Sequence, residues 1–237
     1  MNTKTAKVTD GYRPENLAID TGNLRFRWPN RGTALAFPDI HLPRGEHLFL
    51  QGASGAGKST LLGLLAGMQT PDSGHLNLLR QDVATLKASK RDRFRADHMG
   101  VIFQQFNLVP YLSALSNVLL PCRLSALRHA RAIPAPADAA RDLLRQLTIP
   151  ESHWHQSVTR LSIGQQQRVA AARALIGAPE IILADEPTSA LDNNNRDRFL
   201  ELLLSLAAGN NSSVVFVSHD PALARHFHHR LTLEVAA

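Results

Sequence analysis

The sequence is poor in cysteine and in long apolar runs. Cys122 is its only cysteine, so the chain cannot form an internal disulfide, and this fits a reducing compartment. No stretch reaches the roughly 18 uninterrupted apolar residues that a membrane-spanning helix needs. The first 20 residues also lack the apolar segment of a secretory signal. With 44% hydrophobic and 19% charged residues, the composition is that of a globular protein.

The charge balance of the chain is basic. Lysine and arginine outnumber aspartate and glutamate by 26 to 20, and the net charge is +6. Such a balance raises nucleic acid or an anionic membrane surface as possible partners. However, the densest basic run, residues 87–95, alternates as a solvated helix face does. The basic charge by itself therefore does not indicate a nucleic-acid partner, and we expect none.

Apolar patterning predicts strands that alternate with helices. The runs EIILADEP (180–187) and SSVVFVSHD (212–220) are typical of strands buried on both faces, whereas STLLGLLAGM (59–68) and DRFLELLLSLAA (197–208) are typical of helices. Further strands are predicted at residues 46–52, 75–83, 99–105 and 230–235. This alternation indicates an α/β fold with a mostly parallel core sheet.

Other segments add smaller units to this plan. Residues 24–28 and 34–42 alternate as strands and predict an antiparallel β subdomain near the N-terminus. Residues from about 107 to 178 have a helical pattern between two sheet strands, which predicts an inserted α-helical subdomain. We interpret residues 1–23 as an N-terminal extension and residues 24–237 as one domain.

The most specific motif is GASGAGKST, which fits G-x-x-x-x-G-K-[ST] between a predicted strand and a predicted helix. Its glycines let the backbone wrap a phosphate chain with the N–H groups turned inward. Lys58 supplies a point charge for the β- and γ-phosphates, the Ser59 hydroxyl can ligate Mg²⁺, and Thr60 can bond the α-phosphate. The motif predicts a P-loop NTPase. Its candidate nucleotide-binding residues are Gly52, Ala53, Ser54, Gly55, Ala56, Gly57, Lys58, Ser59 and Thr60.

An acidic pair, Asp185 and Glu186, ends the strand IILAD. A strand that ends in acid places Asp185 at the carboxyl edge of the sheet, beside the phosphate loop, where it can hold Mg²⁺ through water. Glu186 can take a proton from an attacking water molecule. After a phosphate loop, and before Pro187, the pair indicates hydrolysis of a nucleotide.

The stretch RLSIGQQQR, residues 160–168, predicts a helix start that can bind an anion. Ser162 can cap the helix, and Gln165 can reach back to complete a capping box. Capping does not explain Gly164 in the first turn, where glycine costs about 1 kcal/mol relative to alanine. Because a bare helix start binds anions, Ser162, Gly164 and Gln165 are candidate anion-binding residues.

On these motifs the chain resembles the nucleotide-binding subunit of an ATP-binding cassette (ABC) transporter, from about Leu24 to the C-terminus. The stretch LSIGQQQR is similar to the family signature LSGGQQQR, with Ile163 in place of the first glycine. We expect function to survive this departure, since Ser162 and Gly164 keep the groups that touch phosphate in the family.

The resemblance implies roles for three further residues and one further segment. Gln104 in VIFQQF matches the Q-loop glutamine, which senses Mg²⁺ and the attacking water, so the resemblance makes Gln104 a candidate Mg²⁺ ligand and catalytic residue. Residues 189–192 match the D-loop. His219 matches the switch histidine that contacts the γ-phosphate. Trp28, at the end of the first predicted strand, is the aromatic residue expected to stack on adenine.

The resemblance also implies an assembly around ATP and Mg²⁺. In the family, two cassettes pair head to tail, so Ser162 and Gly164 of one chain would cap the γ-phosphate held by Lys58 of the other, and an ATP-dependent homodimer is expected. Residues 104–122 are expected to receive a short helix of an integral-membrane permease. The sequence of this stretch is closest to that of the lipoprotein-releasing and macrolide-export branch of the family. This similarity implies an FtsX-like or macrolide-export permease. The expected location is peripheral, on the cytoplasmic face of the inner membrane.

Rival classes of protein remain open at this point. A DNA-repair or chromosome-organising ATPase shares the phosphate loop and signature, but carries long coiled-coil or zinc-bearing insertions. Here Lys58 and Ser162 lie only 104 positions apart, without heptads or cysteine pairs. A nucleotide-binding module without catalysis would be expected to lack Glu186 or His219, and a soluble translation-type ATPase would need two cassettes in one chain.

Overall fold

The structure is a computed structural model that describes residues 14–29, 34–189 and 191–234. Its strands form one antiparallel sheet and one parallel sheet. The antiparallel sheet has strands β1 (Leu17–Phe26), β2 (Leu35–Ala36), β3 (Ile40–Pro43), β5 (Ser73–Leu78) and β6 (Gln81–Asp82). Strand β1 is central, because it pairs with β2, β3 and β5.

Strand β1 begins earlier than the sequence predicted. Residues 17–23, which we assigned to an N-terminal extension, belong to the sheet. The alternation of buried Leu24 and Phe26 with exposed Arg25 is visible in the sequence, whereas residues 17–21 are buried or half-buried throughout and give no alternating signal. The predicted start at Leu24 was therefore wrong.

Two other predicted strands are divided. The run 34–42 forms the separate strands β2 and β3. The run 75–83 forms a hairpin of β5 and β6, because Leu79 and Arg80 turn the chain with φ values of 52° and 74°. Two consecutive non-glycine residues with positive φ are rare, so the sequence carried no turn signal there.

The parallel core sheet has the order β10-β4-β9-β8-β7. Its strands are β4 (His47–Gly52), β7 (Met99–Ile102), β8 (Ile181–Asp185), β9 (Ser213–Val217) and β10 (His229–Leu233). All four neighbouring pairs are parallel. The C-terminal ends of β4, β7, β8 and β9 therefore open on one edge of the sheet, which is where polar site residues are expected.

Side chains of β4 divide between two hydrophobic cores. Leu48 and Leu50 belong to the core beneath the antiparallel sheet, and Phe49 points into the core beneath the helical part of the molecule. Complete burial of such a side chain contributes about 1.5–3 kcal/mol. The alternation along β4 thus fixes the strand that leads into the phosphate loop.

The helices are α1 (Lys58–Leu65), α2 (Ala88–His98), α3 (Ala114–Leu124), α4 (Ala126–Arg131), α5 (Pro136–Gln146), α6 (Ile163–Leu175) and α7 (Asn193–Gly209). Helices α3 to α6 lie between β7 and β8, so the predicted α/β fold with a mostly parallel core sheet, an N-terminal antiparallel sheet and an inserted helical part is confirmed. None of the helices in the described ranges is long and apolar enough to cross a membrane.

A buried arginine fastens the helical insertion to the core sheet. Arg128 of α4 is 2% exposed, and its guanidinium donates to the carbonyl oxygens of Met99 (3.0 Å), Ala174 (2.7 Å) and Ile176 (2.8 Å). Carbonyls at the end of α6 lack partners within the helix, and Arg128 supplies them. Burial lowers the pKa of Arg128 to about 10, so the guanidinium remains charged near neutral pH.

Candidate functional site

The phosphate loop connects β4 to α1 in a conformation that requires glycine. Gly57, the residue before α1, has φ 91°, which is unfavourable for a residue with a Cβ atom. A Cβ atom on Gly52 would lie 2.7 Å from the carbonyl oxygen of Leu233 in β10, a distance that side chains do not tolerate. The exposed middle of the loop is formed by Ala53, Ser54 and Gly55, and Ala56 is buried beneath it.

Lys58 folds back over its own loop. The side chain is buried, and Nζ donates to the carbonyl oxygens of Gly52 (2.8 Å) and Ala53 (3.0 Å). These bonds hold the ammonium group against the backbone that the motif predicts to surround phosphate. Thr60 lies half-buried in the first turn of α1.

The structure brings Ser59 and Asp185 together, although 126 positions separate them. The Ser59 hydroxyl donates to Oδ2 of Asp185 at 3.1 Å. Burial raises the pKa of Asp185, and the hydrogen bond from Ser59 and the charges of Lys58 and His219 oppose this rise. A partly desolvated carboxylate beside a hydroxyl suits a hard cation such as Mg²⁺.

The described ranges contain no group of three or more His, Cys, Asp or Glu side chains placed to hold a metal ion. A Mg²⁺ ion at Ser59 and Asp185 would therefore need further ligands from phosphate oxygens and water, as is usual for nucleotide-bound magnesium. The two oxygen donors present fit that ion.

Glu186 and His219 lie side by side at the same edge. Nε2 of His219 is 2.5 Å from Oε1 of Glu186. The glutamate has φ 45°, and its N–H donates to the carbonyl oxygen of Val217 at 3.1 Å, which turns the chain sharply after β8. The His219 side chain is 50% exposed. The backbone of Glu186 is thus held in place, and the pair is open to solvent on the histidine side.

Gln104 is exposed and lies in the turn that follows β7. Strand β7 pairs with β8 in the core sheet. No hydrogen bond joins it to Ser59 or Asp185 in the described part of the chain. The family resemblance implied that Gln104 is a Mg²⁺ ligand and a catalytic residue. The structure places Gln104 at the same edge of the sheet, without a hydrogen bond to either oxygen donor in the described ranges.

Arg173, which the sequence analysis missed, fastens this turn to helix α6. Its guanidinium donates to the carbonyl oxygens of Phe106 (2.6 Å) and Asn107 (2.7 Å). Both residues have positive φ, 60° and 46°, so the bonds stabilise a strained turn. Phe106 is buried in the core, whereas Tyr111, further along the predicted docking stretch, is 83% exposed.

Trp28 lies just beyond β1 on the strand pair that borders the phosphate loop. Its ring meets Phe26 edge to face, with centroids 5.1 Å apart, and it remains 38% exposed. Phe26 pairs with Leu35 of β2, and a Cβ atom on Gly57 would lie 3.3 Å from the Leu35 side chain. An exposed aromatic ring thus stands one strand away from the loop.

The start of α6 has the capping box that the sequence predicted. The Ser162 hydroxyl accepts from the Gln165 N–H at 3.3 Å, and Oε1 of Gln165 accepts from the Ser162 N–H at 3.0 Å. Ile163, at the first helical position, points outward and is 57% exposed. No hydrogen bond within the described ranges joins this turn to residues 52–60, so one chain presents two separate helix starts.

An open cavity of about 330 Å³ adjoins this helix start. Its lining residues are Ser162, Gly164, Gln165, Gln167, Arg168, Leu191 and Asn195. Gln167 is 1% exposed, and its Nε2 finds no hydrogen-bond partner in the described structure. Of residues 189–192, which match the D-loop, Leu191 lines this cavity, and Ala190 lies outside the described residues.

The molecule combines a phosphate loop and an acidic strand end at a parallel core sheet with a second capped helix start. This combination defines a P-loop ATPase of the cassette type. The chain belongs to the ABC transporter family, whose model matches residues 37–189. It is accordingly an ATP-binding subunit that hydrolyses ATP.

Known relatives agree with this assignment. The lipoprotein-releasing system ATP-binding protein LolD of Syntrophotalea carbinolica is 39% identical over 82% of this chain and 83% of its own length. The macrolide export ATP-binding/permease protein MacB of Rhodopseudomonas palustris is 40% identical over 85% of this chain, which corresponds to 30% of that longer protein. A dimeric structure of the cassette MJ0796 in a post-hydrolysis state, bound to ADP and Pi, superposes with a TM-score of 0.80 and 32% identity, and covers 92% of this chain and 97% of that chain.

Proposed function

We propose that two copies of the chain bind Mg²⁺ and ATP between them and hydrolyse the ATP to drive a membrane permease of the lipoprotein-releasing or export type. The observation that carries this proposal is the set of contacts at one sheet edge, where Ser59 meets Asp185 and Glu186 meets His219. The names of the relatives LolD and MacB support the transport class.

The phosphate loop would bind the nucleotide first. Inward N–H groups of residues 52–60 would surround the phosphates, with Lys58 turning from its backbone carbonyls to the β- and γ-phosphates. Trp28 would stack on adenine. Ser59, Asp185 and Gln104 would hold Mg²⁺, which neutralises charge on the β- and γ-phosphates when bound.

Hydrolysis would use the pair at the end of β8 and β9. Glu186 would accept a proton from the water that attacks the γ-phosphorus, which breaks the bond to the bridging oxygen of ADP. His219, exposed beside Glu186, would contact the γ-phosphate and keep the carboxylate oriented. The left-handed backbone of Glu186 supports this role, because strained backbone conformations cluster at active sites.

The second helix start would act across a dimer. No hydrogen bond in the described ranges joins Ser162, Gly164 or Gln165 to the phosphate loop of the same chain. A head-to-tail dimer would place them on the partner's γ-phosphate, where the helix dipole favours negative charge. The dimeric assembly of MJ0796 supports this arrangement.

The partner would be an integral-membrane permease, FtsX-like or of the macrolide-export type, that holds the chain at the cytoplasmic face of the inner membrane. The predicted docking stretch 104–122 contains Tyr111, whose side chain is 83% exposed. Phe106 does not belong to the docking surface, because it is buried in the core. A charge at Phe106 would unfold the region instead of blocking a partner.

The experiment is co-purification of the permease in detergent with three forms of the chain. Tyr111→Asp should lose the permease and keep ATP binding. The control is Ile133→Asp, because Ile133 is also an exposed apolar residue of the helical insertion, at 75%, but lies outside residues 104–122. Retention of the permease by Tyr111→Asp would contradict the docking surface, and ATP-coupled binding of duplex DNA with a steep salt dependence would favour the DNA-repair alternative.

A further inference from the structure

An ion pair joins the start of helix α7 to the residue that follows His219. Nη1 of Arg196 is in close contact with Oδ2 of Asp220. The two side chains are 16% and 31% exposed, so the pair is largely sheltered from water. Breaking a sheltered pair by removing one partner leaves a charge without compensation, which makes such a contact costly to open.

Both oxygens of the Asp220 carboxylate are engaged. Oδ1 accepts a hydrogen bond from the N–H of Ala222 at 2.9 Å and thereby caps the short helix Pro221–His226. Oδ2 forms the ion pair with Nη1 of Arg196. The N–H of Asp220 donates to the Ser218 hydroxyl at 3.1 Å, and the N–H of Ser218 donates to Leu50 in the core sheet at 3.2 Å. The backbone on both sides of His219 is therefore held.

Arg196 occupies the first turn of α7, directly after the D-loop. Asp192 caps this helix by accepting from the N–H of Asn195 at 3.0 Å, and its carbonyl accepts from the N–H of Arg196 at 2.9 Å. The Nε atom of Arg196 is buried and finds no hydrogen-bond partner in the described structure; its nearest carboxylate there, Asp197, lies 3.7 Å away. Asp220 is thus the nearer of the two carboxylates that pair with this guanidinium in the described ranges.

We propose that Arg196 is a positioning residue that, through Asp220, sets His219 against Glu186 and ties the switch histidine to the D-loop. The inference rests on the proposed roles of Glu186 and His219. Asp220 is the residue after His219. A displacement of α7 that moves Asp220 through the ion pair therefore also moves the backbone that carries the imidazole. Since a misplacement of about 1 Å can cost two orders of magnitude in rate, loss of the pair acts on turnover more than on ATP binding.

The test is a double-mutant cycle of Arg196→Gln and Asp220→Asn, the second of which keeps an oxygen for the Ala222 N–H. Steady-state ATPase gives kcat and KM, and titration with a fluorescent ATP analogue counts intact sites, so that kcat is expressed per site. Each single variant should lower kcat about tenfold, with KM changed less than about twofold. The double variant should be no slower than the slower single variant, because both changes remove one contact.

Two variants control for charge and for local structure. Arg196→Lys keeps the cation and should retain kcat within about threefold of the wild type. Arg225→Gln removes a neighbouring arginine that bonds Asp197 at 2.9 Å, is 62% exposed and has no ion pair with Asp220 in the described ranges, so it should leave kcat unchanged.

Three results would overturn the inference. The first is a wild-type kcat in Arg196→Gln, and the second is a double variant whose loss of kcat equals the combined losses of the two single variants. The third is a loss of ATP-binding sites with a normal kcat at the sites that remain. The last would assign the pair to stability alone. His219→Ala is measured in the same series. Full activity of His219→Ala would contradict the proposed role of the histidine, whereas a slow His219→Ala with a fast Arg196→Gln would contradict only the role of Arg196.

Discussion

A buried histidine should make the fold sensitive to mild acid. His47 begins β4, is 4% exposed, and its Nδ1 has no hydrogen-bond partner in the described structure. The pKa of His47 is lowered from 6.5 to about 4, chiefly by burial and also by the nearby His228, with ring centroids 5.5 Å apart, while Glu46 opposes the change. Folded His47 thus remains neutral where the unfolded chain would already bind a proton.

The sign and size of the effect follow from this difference. Below pH 6.5 the unfolded state takes up a proton that the folded state refuses until about pH 4, so acid favours unfolding in this window. One pH unit corresponds to about 1.4 kcal/mol, so at about pH 5, roughly 1.5 units below the unfolded pKa, His47 costs about 2 kcal/mol of stability. This is a large fraction of the 5–15 kcal/mol typical of a domain, as an order of magnitude.

The assay is urea unfolding, followed by circular dichroism, at about pH 7.5 and about pH 5. His47→Gln removes the titration and should reduce the acid-induced loss of unfolding free energy by about 2 kcal/mol. The matched control is His129→Gln in α4, because His129 is exposed; its acid sensitivity should equal that of the wild type. An identical loss in the His47→Gln variant and the wild type would refute the reasoning.

Three further changes test the loop, the signature and the packing. Lys58→Ala removes the only charged side chain of the phosphate loop and should abolish tight ATP binding and hydrolysis; near wild-type turnover would refute the loop assignment. Ile163→Gly alters an exposed first helical position and should change ATPase activity by less than about tenfold, or about 1.4 kcal/mol; complete loss would reveal a contact of the isoleucine. Gly100→Ala would bring Cβ to 2.2 Å from the Ala174 carbonyl oxygen in α6 and should lower the free energy of unfolding by about 1–3 kcal/mol; unchanged urea midpoints would contradict this close packing.

Local motifs were predictable because their chemistry depends on spacing along the chain. The capping box at Ser162 and Gln165 needs residues three positions apart, and the phosphate loop lies within residues 52–60. The strand that ends at Asp185 was visible as a short apolar run followed by acid. Each signal is complete within about ten residues, so no tertiary information is needed to find it.

The long-range contacts could not be predicted in this way. Arg173 reaches carbonyl oxygens 66 and 67 positions away, and Arg128 binds carbonyls 29 to 48 positions away. Backbone carbonyls exist at every residue, so nothing in the sequence marks the ones that an arginine will select. Strand β1 was placed too late for a related reason, since a segment buried on both faces has no alternation to show where it begins.

The central claim is that ATP is held between two chains, with hydrolysis dependent on Glu186. Glu186→Gln removes the base and one negative charge beside the triphosphate, while the shape of the side chain is nearly kept. The variant should bind ATP, hydrolyse it very slowly and accumulate as a dimer. Addition of Ser162→Arg places bulk and charge at the capped helix start and should restore monomers, although the phosphate loop of the same chain is intact.

Size-exclusion chromatography with light scattering, in ATP and in ADP, measures this directly. We expect a dimer of Glu186→Gln in ATP, a monomer in ADP, and a monomer of Glu186→Gln with Ser162→Arg in both nucleotides. A dimer that persists unchanged in the double variant would contradict the action of RLSIGQQQR across the interface, and a fully active Glu186→Gln enzyme would contradict the assignment of the base.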